Sequence, residues 1–469
     1  MASQLDPSNY LLSVIVPAYN DRFTIRELIR RVMNVPVPKE VIVVDDASTD
    51  GTTEVLDELK KIYSIRMVRH EHNQGKGAAI QTGIKEAKGD FIVIQDADLE
   101  YDPNEYPVLL QPLLSGEADV VYGSRFMSGP RRVHLYWHMI GNRLLTSLCN
   151  VLCNLNLSDM ESCYKVFRSD IIKSISLSSK RFGFEPEVTM KLAKLRCVFY
   201  EVPISYHGRT YEEGKKIGFK DAVEAFFVIL KNWIMDDLGC IENQTLVRMA
   251  QYYQYNRSMF QQIQSHLGTR VLEIGSGIGN ISKFLIDRPL TLLSDINPVY
   301  LRILKRRFGI YENVIIHYLD VNSPDVQELR KHRLDTVLCL NVLEHIQKDD
   351  DVLTHFYEIL ESQGQMILLV PAHPSLFSTI DKNLGHVRRY NREELEAKIR
   401  RAGFQIVAME YFNWIGAVGW WFSGKVLHQS KITSMSKWGF RLLKVLGNFG
   451  RIFRNRFGLS LIAVAKKHI

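Results

Sequence analysis

The 469-residue chain is poor in cysteine, has no low-complexity tract or short repeat, and contains no apolar run long enough to cross a bilayer. Six cysteines are too few for a disulfide framework at this length, and the N-terminus MASQLDPSNY carries neither the basic nor the apolar region of a secretion signal. The expectation is a chain that starts and stays in the cytosol with reduced thiols. Cys149 and Cys153 are spaced as on one helical face, yet neither they nor Cys163 is accompanied by CxxC or histidine spacing. They read as core thiols rather than zinc ligands. The longest candidate span, 221–235, is interrupted by Glu224 and Lys231 and reads as a packed or interfacial helix.

Acidic residues are missing altogether after Glu410, where ten lysines and arginines remain. Removing those ten from the net +7 leaves the rest of the chain near −3, so a negative partner is expected at that end. Between about 413 and 459 the basic residues are interleaved with Trp414, Trp420, Trp421, Phe422, Trp438, Phe449, Phe453 and Phe457. Aromatic anchors beside cations suit a membrane interface, with core packing the second reading. Nucleic acid is set aside because no recognised nucleic-acid module accompanies the pattern.

What is present is globular: 46% hydrophobic and 24% charged residues, in a length that argues for about two to four domains. The Val- and Ile-rich runs LLSVIVPAY, VIVVDD, IRMVRH and FIVIQDAD are separated by amphipathic segments that predict helices at 24–33, 52–63 and 78–87. That alternation predicts a mainly parallel sheet covered on both faces, with ligands at the carboxyl ends of the strands. Pro17, Ala18, Tyr19, Asp21, Asp45, Asp46 and Asp50 fall there, as do Asp96, Asp98 and Glu100, three acids able to offer hard oxygens to Mg2+ or Mn2+. A second alternation begins at Arg270, with a helix expected after Gly279. Glu273, Gly275 and Gly277 end its first run, and Asp295 lies twenty residues beyond Gly275. A glycine-rich turn with a later acid suits a nucleoside cofactor, a dinucleotide included. The fold class is α/β, with two doubly wound domains.

Taken in order, VIVPAYND, VVDDASTDGT, NQGKGAAIQTGI, DADLEYDP, GSRF and ESCYKVFR resemble family 2 glycosyltransferases, especially the dolichol- and polyprenyl-phosphate branch, over about 11–231. The resemblance implies a GT-A-like domain at 1–235 with a nucleotide sugar as donor. Pro17, Ala18, Tyr19 and Asp21 would line the base and ribose pocket, and Asp45 would read a base N–H. Lys76 would approach phosphate, while Asp96, Asp98 and Glu100 would hold Mg2+ or Mn2+ against the departing diphosphate. Arg125, and the group Arg131, Arg132 and Arg143, are candidates to hold an anionic acceptor. Arg209 and Lys215, in a glycine-bearing segment, would close over a phosphate. A polyprenyl phosphate needs no strong base, whereas a saccharide hydroxyl would need one, with Glu185 or Glu187 the candidates. The chain lacks the QxxRW motif of processive synthases, which favours single transfer, and it lacks the trailing membrane helices of many relatives.

The GxGxG turn with its preceding acid, LDV at 319–321 and NVLEHI at 341–346 resemble class I S-adenosylmethionine-dependent methyltransferases over about 270–467. The resemblance implies that Gly275 and Gly277 approach the cofactor, with Glu273 beside them. Asp295 would accept from the ribose hydroxyls, Asp320 from the adenine amino group, and Asn341 would line the methionine end. His345, placed at the start of an apolar helix, and His386 are the candidate bases, with His386 better suited to shaping the acceptor pocket. The expected organisation is a helical linker at 236–268 and a Rossmann-like domain at 269–469 carrying the aromatic, basic insertion. The expected whole is a bifunctional enzyme, peripheral on the cytoplasmic face of a membrane. It would transfer a hexose to polyprenyl phosphate and methylate a sugar or lipid-linked intermediate. Two alternatives stand beside it: a saccharide-hydroxyl transferase building a methylated surface glycan, and a chain in which one domain only binds or regulates.

Overall fold

The computed structural model describes residues 10–127, 136–208, 219–234, 253–422 and 457–468. The chain divides into two compact units, Ser3–Gln244 and one formed mainly by Thr245–Ile469.

In the first unit the apolar runs form β1 (Leu12–Ala18), β2 (Lys39–Asp45), β3 (Ile65–Arg69), β4 (Phe91–Ile94), β5 (Val120–Ser124), β6 (Lys165–Arg168) and β7 (Phe199–Pro203). Their order in the sheet is β3-β2-β1-β4-β6-β5-β7, parallel except that β6 runs against β4 and β5. Every residue of β1 is buried, as a central strand covered on both faces requires. The intervening helices, Ile25–Asn34, Thr52–Ile62 and Lys76–Glu86, fall within two residues of the expected bounds. Leu28, Ile29 and Val32 of the first, with Leu56 and Leu59 of the second, share a core with Val14, Val16, Val41 and Val43. The third helix sits so close to the sheet that a Cβ on Gly83 would stand 2.4 Å from Ile15 Cγ2. Register sets the site: Ala18 pairs with Asp45 and Ile15 with Ile94, which brings the loops after β1, β2 and β4 to one edge.

The second unit has β8 (Arg270–Ile274), β9 (Leu290–Asp295), β10 (Val314–Tyr318), β11 (Leu334–Leu340), β12 (Leu360–Pro371), β13 (Phe404–Phe412) and β14 (Ser460–Lys467). The order is β10-β9-β8-β11-β12-β14-β13, with β14 antiparallel to both neighbours. The helix Tyr253–Ile263, in the stretch expected as linker, lays Met259 and Ile263 against Val271, Leu338 and Ile367 and so helps to cover this sheet.

Two local expectations are corrected here. No α-helix follows the glycine turn; there is a short 3-10 turn at Ser282–Phe284. The carbonyls of Leu285 and Ile286 accept instead from Thr291 Oγ1 at 2.8 Å and Asn313 Nδ2 at 2.7 Å. His345 does not start an apolar helix either. β11 ends at Leu340, Asn341 has φ 55°, and Leu343–His345 is a single 3-10 turn before the helix that begins at Asp349. Of the insertion, Trp414–Trp421 forms a helix, while 423–456 lies outside the described residues. No helix among the described residues is long and apolar enough to cross a membrane.

Candidate active sites

At the carboxyl edge of the first sheet lies a cavity of about 440 Å³. Pro17, Ala18, Tyr19 and Asp21 line it from β1 and its loop, Lys76 from the start of its helix, and Asp96, Asp98 and Glu100 from the loop after β4. Asp21 folds back to accept from the Tyr19 N–H at 3.0 Å. Asp98 accepts from the Glu100 N–H at 3.2 Å across Leu99, which has φ 64°. A branched residue in that region costs about 1–2 kcal/mol, so the acidic loop is held against local preference. Glu100 accepts from the Tyr206 hydroxyl at 2.7 Å. Arg125 grips Asp159 with Nε and Nη2 at 2.6 and 2.8 Å, and its guanidinium lies 5.1 Å from the Tyr206 ring centre.

Burial would lower the proton affinity of Lys76, but Asp96, 2.6 Å away, outweighs it and keeps the ammonium well above its usual range. The same contest, with Asp159 as the winning partner, keeps Arg125 charged. The ammonium against Asp96 shows that this acidic edge stabilises positive charge. A set of carboxylate oxygens is the donor chemistry that a hard divalent cation requires, so the residues fit one.

Two expected site residues are elsewhere. Asp45 does not line the cavity: it is 2% exposed, and its oxygens accept from the Ser48 N–H and the Thr53 hydroxyl, bracing the turn after β2. Its neighbour Asp46 lines the cavity instead, accepting from the Gly75 N–H at 2.7 Å and the Gln74 N–H at 2.9 Å. Glu187 is also outside the cavity. It is fully buried, accepts from the Ser178 and Ser179 backbone and pairs with Lys191 at 2.8 Å, a structural clamp with no path to a substrate. Glu185 is buried beside Cys163 Sγ at 3.4 Å. Sequence reasoning missed Glu161, which lines the cavity and whose carboxyl is pushed up to about 8 by burial and by Glu185. Its only signal was the ESCYKVFR stretch. Arg131, Arg132, Arg209 and Lys215 lie outside the described residues, and Arg143 is exposed on the helix Tyr136–Cys153.

In the second unit, Gly275 and Gly277 turn with φ 66° and 54° directly after β8. A Cβ on Gly275 would stand 2.4 Å from Val342 Cγ2, so only glycine keeps this approach open. Asp295, at the end of β9, accepts from the Gly277 N–H and the Asn297 N–H, both at 2.8 Å. Burial raises its proton affinity. Glu273 accepts from the Ser282 hydroxyl at 2.5 Å and is pushed up to about 7, chiefly by burial. Asp320, in the loop after β10, accepts from the Asn322 N–H at 2.9 Å, and the Asn341 N–H donates to the Leu369 carbonyl at 2.8 Å. These residues stand at the carboxyl ends of β8 to β11. The glycine cradle that a Cβ would fill, with a carboxylate twenty residues on, fits a nucleoside cofactor. Next to it, the His345 and His386 rings meet edge to face with centres 4.9 Å apart. Desolvation and the neighbouring His386 lower His345 to about 4, while burial pushes Glu344 up to about 8.

The two sheets and their strand-end sites define a sugar-transferase fold joined to a Rossmann-like methyltransferase fold. Residues 13–176 match the family described as glycosyl transferase family 2, and residues 247–409 match a methyltransferase domain. The chain is 31% identical over 216 residues to an undecaprenyl-phosphate mannosyltransferase of Micrococcus luteus, covering 44% of this chain and 86% of that protein. It is 29% identical to a dolichol-phosphate mannosyltransferase of Pyrococcus furiosus (44% and 59% covered). It is 32% identical to a low-salt glycan biosynthesis hexosyltransferase of Haloferax volcanii (43% and 49% covered). A Mycobacterium tuberculosis glucosyl-3-phosphoglycerate synthase structure aligns at 20% identity with TM-score 0.40, covering 49% of this chain and 81% of that one. The chain belongs to glycosyl transferase family 2, in its polyprenyl- and dolichyl-phosphate branch, fused to a class I S-adenosylmethionine-dependent methyltransferase domain.

Proposed function

We propose that the first unit transfers a hexose, with inversion, from a nucleotide sugar to a polyprenyl phosphate, and that the second methylates a sugar or lipid-linked intermediate. The observation that carries the first half is the meeting of the acids after β4, the loop after β1 and Arg125 in one cavity. The names of the relatives above support the acceptor. Pro17, Ala18, Tyr19 and Asp21 hold the base and ribose, and Asp45 braces the turn beside them rather than reading the base. Asp98, with oxygens from Asp96 and Glu100, holds Mg2+ or Mn2+, which when bound offsets the charge of the departing diphosphate. Lys76 turns its ammonium from Asp96 towards donor phosphate. Arg125, held rigid by Asp159, faces the acceptor anion. A phosphate oxygen is anionic near neutral pH and needs no base.

In the second unit Gly275 and Gly277 admit the cofactor backbone, with Glu273 beside them. Asp295 accepts from the ribose hydroxyls, Asp320 from the adenine amino group, and Asn341 lines the methionine end. The sulfonium supplies its own activation. The protein aligns the acceptor, and His345 receives the hydroxyl proton. Docking on a membrane surface is supported by exposed Trp137, Val151, Phe227 and Ile234 in the first unit, and by Trp421 and Phe422 at the edge of the basic stretch in the second. Calorimetric titration of the full chain with S-adenosylmethionine tests the second half. Saturable binding, followed by transfer of labelled methyl to the glycosylated lipid, is expected; absence of binding would make this unit a non-catalytic module.

A further inference from the structure

Glu344 is fully buried, and neither of its carboxylate oxygens meets a donor from any other described residue. A buried carboxylate left so is costly, and such groups are retained where something else completes them. Arg389, the nearby cation, does not complete it: its Nε goes to Asp381 at 2.7 Å and Nη1 to the Ala372 carbonyl at 3.0 Å. What Glu344 does face is His386, whose Nε2 lies 3.9 Å from Oε1, too far for a hydrogen bond. His386 Nδ1 sits 3.1 Å from Asp381 Oδ1. A proton on Nδ1 donating to that carboxylate leaves Nε2 as a lone pair pointing towards a carboxylate. His345 completes the group: one ligand atom from each of Glu344, His345 and His386 lies within 4.8 Å of the others.

We propose that Glu344, His345 and His386 form a binding site for a late first-row divalent cation, of the Zn2+ or Co2+ class. Two imidazoles and one carboxylate are the donor set that these ions take with an open position, and they are a poor set for Mg2+. Ligand atoms around such an ion are separated by roughly 3.4 Å, given bonds of about 2.1 Å and tetrahedral angles. Closing the observed spacing of up to 4.8 Å therefore takes a movement of at most about 1.4 Å, which the turn Leu343–His345 and the exposed His345 can supply. The Asp381 contact to His386 is the carboxylate–histidine arrangement that orients a metal-binding imidazole. Asp381 is itself fixed by Arg389 and, at 3.3 Å, by Trp420 Nε1. His345 also borders an open cavity with Asn322, Asp351 and His355, which brings one ligand of the site to solvent. While the cation is bound His345 is a ligand and not a base, so the site replaces His345's role in the methyl-transfer proposal and otherwise does not depend on it.

The test uses the full chain, stripped with a chelator and titrated with Co2+ and then Zn2+ in excess Mg2+, which occupies the hard-oxygen site of the first unit. One equivalent of Co2+ with the intense visible absorption of a low-coordinate, nitrogen-bound ion, displaced by Zn2+, is expected. Glu344→Gln and His386→Ala should each weaken binding at least about tenfold. No such spectrum, or unchanged affinity in both variants, overturns the site. Folding is controlled by the metal-free melting temperature: Glu344→Gln should match or exceed the unsubstituted chain, and only the latter should gain stability with Zn2+. A Zn2+-dependent gain that survives in Glu344→Gln also overturns it. Titrating S-adenosylmethionine in the same samples separates failure of the methyl-donor proposal from failure of the cation site.

Discussion

Glu273 makes the second unit weaker as pH rises, and replacing it should reverse that. The carboxyl is 4% exposed at the end of β8, and burial, with the like charge of Asp295 adding to it, outweighs the Ser282 and Ser276 hydroxyls and lifts it from 4.5 to about 7. Below pH 4.5 both the folded and unfolded chains hold the proton and nothing is lost. Between 4.5 and 7 the unfolded chain ionises while the folded one does not, so stability falls; above 7 the deficit is constant. At about 1.4 kcal/mol per pH unit the loss is about 3 kcal/mol. Glu273→Gln keeps an oxygen for Ser282 and cannot ionise. Hydrogen exchange read by mass spectrometry on peptides spanning β8 and β11, converted to opening free energies, should show the variant gaining about 3 kcal/mol over the unsubstituted chain between pH 4.5 and 8. A difference that stays flat across that range would refute the account of Glu273 as a desolvated acid.

Gly275→Ala places a side chain at φ 66° and 2.4 Å from Val342. The left-handed backbone alone costs about 1–2 kcal/mol, so S-adenosylmethionine affinity measured by calorimetry should fall at least about tenfold. Glu187→Gln leaves Lys191 buried without its charge partner and should lower stability by several kcal/mol, on the order of 3, in denaturant melts of the first unit. Turnover per folded molecule should be unchanged; collapse of turnover with an unchanged melt would return Glu187 to a catalytic role.

The sheets were legible because strands buried on both faces are written as near-continuous Val and Ile runs, and β1, β2 and β4 are such runs. The acids after β4 were legible because they end one. Which of Asp45 and Asp46 faces the cavity was not: Ala47 takes φ 61° in the turn, and that local twist, invisible in composition, turns Asp45 towards Ser48 and Thr53. Glu187 was misread because its partners Ser178 and Ser179 precede its helix in a loop with no pattern. The Glu100–Tyr206 bond and the Glu344–His386 approach join residues far apart in the chain, and no periodicity reports such pairs. After the glycine turn only the 3-10 turn Ser282–Phe284 forms, and a longer helix would have met Pro289, which has no N–H to give the Leu285 carbonyl, and then β9 at Leu290.

The central claim is tested most directly by nucleoside diphosphate release from a panel of nucleotide sugars with Mn2+, with and without a short polyprenyl phosphate, in the full chain and in Asp98→Ala. Release that requires the lipid phosphate and is lost in Asp98→Ala, by a factor of at least about a hundred, is the predicted result. Release that requires a saccharide instead, or that persists in Asp98→Ala, would contradict it.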